Sequence, residues 1–130
     1  MNTLYGFGKA VSYSFEKAME QVTNELKKEG FGILTEIDVA ATLKSKLNKE
    51  IPPYRILGAC NPQLADRAIQ ADPSIGLLLP CNVLVRQDDT GKVYVEFMDP
   101  DAVLELVKKP EIKPLAKEVK SRLQRVLQEI

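Results

Sequence analysis

A chain of 130 residues, 45% hydrophobic and 28% charged, has the size and composition of one globular domain, which argues against disorder, a fibrous architecture or a second core. With 18 Lys plus Arg against 18 Asp plus Glu there is no net field to gather phosphate backbones or anionic lipid, so neither nucleic acid nor a membrane is expected as partner. Histidine is absent, which removes the commonest metal ligand and general base and excludes a Ser-His-Asp or Cys-His site built from this chain alone.

No basic segment followed by an apolar stretch marks the first residues, and no window approaches the roughly 18 apolar residues of a membrane span, so a cytoplasmic address is expected. The two cysteines, Cys60 and Cys81, are too few for the disulfide framework of a small secreted domain, and a cytosol keeps them reduced.

Residues 9–14 alternate and favour β structure, and Ser14 then caps a helix in which Phe15, Ala18, Met19, Val22 and Leu26 recur at helical spacing until Gly30 ends it. In residues 31–37, Phe31, Ile33, Thr35 and Ile37 fall on one face at period two, the pattern of a half-buried strand. Asp38 is a cap for a short helix carrying Val39, Leu43 and Leu47, which Pro52 and Pro53 prevent from continuing. A third strand is read over 54–60, and Asn61-Pro62 opens a helix to about Ala71.

Residues 75–79 are so uniformly apolar that they read as a buried strand, with a bend or bulge at Pro80 before the run resumes over 81–86. Asp88-Asp89-Thr90-Gly91 is a hairpin turn, after which Val93, Val95 and Phe97 alternate on the returning strand. Asp99-Pro100 repeats the cap-plus-proline device for a helix with Val103, Leu104 and Val107, stopped by Pro110. A last helix follows, with Pro114 in its first turn and Ile112, Leu115, Val119, Leu123, Val126, Leu127 and Ile130 on one face.

No linker, repeat or composition shift divides the chain, so residues 1–130 form a single domain. The order β-α-β-α-β-α-β-β-α-α predicts an α+β fold with helices packed mainly on one face of the sheet. The expected core comprises Phe15, Val22, Leu26, Ile33, Leu43, Ile56, Leu78, Val83, Val95, Leu104, Val119 and Leu123.

The runs GFGILTEIDVAATLK (30–44), PPYRILGACNPQLADRAIQADPSIGLLLPCNV (52–83) and MDPDAVLELV (98–107) resemble the bacterial and archaeal domain of unknown function 302, in register over nearly the whole chain. The resemblance implies a curved, largely antiparallel sheet similar to the TATA-binding-protein-like class, and a homodimer; it carries no activity. One departure is that the helix after Asp99 ends in Lys108-Lys109-Pro110, where members often show a glycine and an asparagine before the proline.

The feature most suggestive of chemistry is the near-echo of Cys60-Asn61-Pro62 and Pro80-Cys81-Asn82. Cys60 lies at the mouth of a helix N-terminus, where positive partial charge favours a thiolate nucleophile or redox group. The competing reading makes both cysteines small buried hydrophobes, reduced and too far apart to bridge, with Asn61 and Asn82 satisfying backbone at strand ends. Glu36, Asp38 and Arg55 form a second constellation, suited to acid–base work or to orienting an anion, and equally to caps and surface ion pairs. No metal site is expected, since two thiols without histidine fit no zinc spacing, and no cofactor is indicated by any motif. Lysines such as Lys117, beside Glu118, read as a solvated helix face and not as a nucleic-acid stripe. The expectation is therefore a non-catalytic small-molecule-binding or interaction module acting as a homodimer, and the alternative is a thiol-dependent enzyme using Cys60, Cys81 or both.

Overall fold

Alternating strands rich in β-branched residues pair in the order β1-β5-β4-β3-β2, antiparallel throughout, into one five-stranded sheet: β1 (Gly6–Val11), β2 (Gly32–Asp38), β3 (Tyr54–Cys60), β4 (Cys81–Gln87) and β5 (Val93–Met98). The computed structural model describes residues 2–130. Five helices connect or follow the strands: α1 (Phe15–Lys28), α2 (Val39–Leu47), α3 (Pro62–Ala71), α4 (Pro100–Leu104) and α5 (Ile112–Glu129). The fold is thus α+β, and among the described residues no helix is long and apolar enough to cross a membrane.

Register explains which strand residues are inside. Leu57, Val83 and Phe97 pair in one row, Val85 and Val95 in the next, and Ala59 faces Cys81; all are buried, so one face of the sheet forms the floor of the core. Helix α1 lies against β2, β4 and β5, while α5 packs on α1, α3 and α4, closing that core with Val22, Leu26, Leu123 and Val126. The row Ile37, Ile56, Leu84 and Glu96 and the row Tyr54, Arg86 and Tyr94 point to the opposite face; Ile37 is exposed and the rest are half-buried. On that face Arg86 donates to Glu96 at 2.6 Å and its guanidinium lies 4.4 Å from the centre of the Tyr94 ring.

Local signals acted as read at most boundaries. Ser14 accepts from the Lys17 amide, Asp38 from that of Ala41, Asn61 from that of Leu64 and Asp99 from those of Asp101 and Ala102, so each helix from α1 to α4 begins at a side-chain cap. Gly30, at φ +85°, takes the left-handed turn that ends α1, and a Cβ there would come within 2.9 Å of the Asn61 amide nitrogen. The 88–91 turn closes as expected, with the Asp88 amide donating to the Lys92 carbonyl at 2.8 Å.

Several expectations are corrected. The first strand is Gly6–Val11, earlier than residues 9–14. Residues 75–79 are no strand: Pro73–Leu78 winds as a 3-10 turn, capped by Asp72, that buries Ile75 but leaves Leu77 89% exposed and Leu78 only half-buried. The Asp-Pro start signal decided the conformation there, and an apolar run carries no periodicity to oppose it. Phe31, Ile33, Thr35 and Ile37 do not share a face, because a bulge between Ile33 and Thr35 reverses the alternation: Ile33 pairs with Ala59 on the core side, and Thr35 and Ile37 pair with Gly58 and Ile56 on the other. Leu57, paired with Val83, takes the core place expected of Ile56, and Ile33 and Leu43 are only half-buried, α2 having no fully buried residue.

Candidate functional site

Where β3 ends and β4 begins, their chain neighbours converge on a pocket of about 300 Å³. Its walls come from the end of β3 (Ala59, Cys60), the start of β4 (Cys81), α3 (Leu64, Ala65, Ala68) and α5 (Leu115, Val119), and Leu79 and Pro80 close one side. The lining is almost wholly apolar and includes no charged side chain. Leu34 and Ile69, exposed at 67% and 45%, stand at its rim.

Cys60 and Cys81, expected to lie apart, both line this pocket, which forms where the end of β3 and the start of β4 are paired through Ala59 and Cys81. Neither is in a disulfide. They differ sharply in environment: Cys60 is half-buried, against the expectation of burial, whereas Cys81 is 7% exposed and burial, reinforced by the neighbouring Cys60 sulfur, pushes its thiol up to about 11. Cys81 is therefore a neutral thiol at physiological pH, and Cys60 is the more exposed of the two.

Asn61 lines the same pocket but its amide is committed. Its Oδ1 accepts from the Leu64 amide at 3.3 Å as the α3 cap, and its Nδ2 donates to the Glu29 carbonyl at 3.5 Å. That carbonyl also receives Arg122 Nη1 at 2.8 Å, and the Glu29 carboxylate receives Arg125, so the end of α1 is tied to α3 and α5 behind the pocket. Asn82 does not join the site: it is exposed on the sheet face opposite Cys81, and the sequence echo has no counterpart in space.

Glu36, Asp38 and Arg55 do come together, away from the pocket. Arg55 Nη1 donates to Glu36 at 2.9 Å, its Nε lies 3.6 Å from Asp38, and its guanidinium lies 5.6 Å from the centre of the Phe15 ring at the start of α1. Asp38 also caps α2, so each member already has a structural partner. No group of three or more potential metal ligands occurs among the described residues.

The pocket walls contributed by α3 and α5 were not singled out from sequence. The signal was present in the small residues Ala65 and Ala68, which leave space under a helix where larger side chains would fill it.

The fold and this site define a single-sheet α+β domain holding an apolar, thiol-bearing pocket at one end of its sheet. The chain belongs to the family described as Domain of unknown function DUF302, whose profile matches residues 7–130. A crystal structure of an uncharacterized conserved protein of that family from Bacillus stearothermophilus superposes with a TM-score of 0.90 at 28% identity, over 98% of each chain. The sequence is also similar to two proteins named fluoride-specific ion channel FluC 1. The one from Brucella suis biovar 1 (strain 1330) is 31% identical over 88 residues, 68% of this chain and 34% of the channel. That from Brucella abortus biovar 1 (strain 9-941) is 31% identical over 68% of this chain and 32% of the channel. The chain spans about a third of the length of these curated relatives.

Proposed function

We propose that this chain is a non-catalytic binding module that takes a small, uncharged, apolar ligand in the pocket beside Cys60. The observation that carries the reading is the lining itself: carbon and sulfur surround about 300 Å³, with the one internal amide, Asn61, already hydrogen-bonded. Such a site selects by shape and by excluding water, since a charged ligand would lose its hydration without gaining a partner. A thiol-dependent enzyme would need a group to take the Cys60 proton and donors to stabilise developing charge, and no charged side chain lines the pocket. The similarity to a third of each channel supports an accessory module, a unit that also accompanies larger proteins. A wholly antiparallel sheet with α1 and α5 closing the core over one face supports placing the fold in the TATA-binding-protein-like class, and two unbridged thiols sharing one pocket suit the cytoplasm.

The uncharged, environment-sensitive dye 1-aminoanthracene tests the site. Saturable fluorescence enhancement is expected, weakened at least about tenfold by Ala65→Phe, which fills the pocket from a half-buried position. Equal binding to a folded Ala65→Phe protein sinks the reading.

In the same reading the module is a homodimer, formed through the sheet face that the helices leave open. Ile37, Ile56 and Leu84 make an apolar row there, and the one strong ion pair, Arg86–Glu96, is already neutralised within the chain. Sedimentation at micromolar concentration is expected to give twice the chain mass, and Leu84→Glu to give the monomer. A monomeric wild-type protein counts against it.

A further inference from the structure

Leu104 separates the apolar pocket from a second, wider depression of about 570 Å³ between the end of α4 and the first turns of α5. Its character is the opposite. Lys108, Lys109, Lys113 and Lys117 line it, with Asp101 and Glu105 the acidic residues. Lys109 is held by the Ala71 carbonyl at 3.2 Å and lies 3.8 Å from Asp72, and Asp101 lies 3.7 Å from Lys120. Glu118, next to Lys117 in sequence, pairs instead with Arg122 at 3.7 Å. What remains is three lysines, Lys108, Lys113 and Lys117, whose ammonium groups have no ion-pair or hydrogen-bond partner among the described residues, facing Glu105 and an Asp101 that shares the single charge of Lys120 with Asp99. The lysine that looked like part of a paired helix face is thus unpaired, in a chain whose net charge is zero.

Two features of the backbone add to the concentration of positive charge. Helix α5 has 18 residues and no side-chain cap, and its first turn, where the positive end of its dipole lies, lines the groove with Ile112 and Lys113, the Ile112 amide donating to the Lys109 carbonyl. Lys108 itself stands at φ 60°, a left-handed conformation in which a side chain costs stability that glycine would not. A lysine kept where the backbone favours glycine places an ammonium group at the groove at the expense of the fold, the exchange expected where charge is used for binding.

We propose that this groove binds a small phosphorylated anion carrying at least two negative charges. Lysines are point charges that can close on a tetrahedral phosphoryl group from several directions, and the groove lacks the arginine fork that grips a planar carboxylate in two bonds. The flanking carboxylates and the zero net charge suit a bounded small molecule better than a polymer backbone. This site is separate from the apolar pocket and does not depend on a ligand there.

Calorimetric titration with inorganic pyrophosphate, at about 0.1 M salt, tests it. Binding with a dissociation constant below about 1 mM is expected, weakened at least about tenfold in Lys113→Gln/Lys117→Gln and unchanged in Lys46→Gln and in the pocket variant Ala65→Phe. Lys108→Gly is expected to bind pyrophosphate more weakly while unfolding at a higher temperature, a pairing that a purely structural lysine would not give. Absence of binding up to about 10 mM, or a double variant that binds as the wild type does, overturns the site. Tricarballylate binding as tightly as pyrophosphate overturns the phosphoryl assignment.

Discussion

Replacing Phe97 by Ala is expected to destabilise the domain by about 3–5 kcal/mol, a large part of the roughly 5–15 kcal/mol that holds a domain of this kind together. Phe97 is 1% exposed in β5, flanked by Phe7 on β1 and Val83 on β4, and its ring stacks on that of Phe7 with centroids 5.8 Å apart. Truncation removes aromatic contact area and leaves a void that a sheet hydrogen-bonded on both sides cannot collapse to fill. Leu77→Ala provides the contrast, since a side chain 89% exposed has little burial to lose and should change stability by less than about 0.5 kcal/mol. Denaturant unfolding of both variants checks the pair. Comparable losses in the two would mean that the apolar run around Leu77 is packed as a strand after all.

Stability is expected to fall as pH rises from about 9 to about 11, by about 2–3 kcal/mol, through one thiol. Burial and the nearby Cys60 sulfur raise Cys81 from 9.0 to about 11 in the folded chain. Across that interval the unfolded chain releases the Cys81 proton while the folded chain keeps it, so the unfolded state binds fewer protons and is favoured as pH increases. Below about pH 9 both states hold the proton and the contribution is flat. Cys81→Ala, compared with the wild type by denaturant unfolding at about pH 8 and pH 10.5, should lose this part of the slope whatever it costs in packing. A slope identical in the two proteins would show that Cys81 ionises as freely folded as unfolded.

Much of the architecture was legible because it is written in short-range chemistry. Ser14, Asp38, Asn61 and Asp99 cap helices in the structure as their positions suggested, since a side chain that accepts from an amide two or three residues on needs nothing from the rest of the fold. The α5 stripe is equally self-contained, with Ile112, Leu115, Val119, Leu123 and Val126 all buried. Family membership was legible too, from three runs of residues.

What the sequence left open is whatever depends on a partner strand or on space between elements. The bulge after Ile33 is a property of the β2–β3 pair, and it moved Ile37 to the other face although the period-two pattern is unbroken along the chain. Leu57 and not Ile56 is inside because register, set across strands, fixes the parity of a uniformly apolar segment. Cys60 and Cys81, 21 positions apart, meet at one pocket only because β3 and β4 are adjacent and antiparallel, and the same pairing turns Asn82 away. The cysteines, the caps and the family were determined by the sequence itself; which thiol is buried, and that three lysines face one groove, only the tertiary structure decided, because burial and unpaired charge belong to the assembled surfaces and to no single stretch of chain.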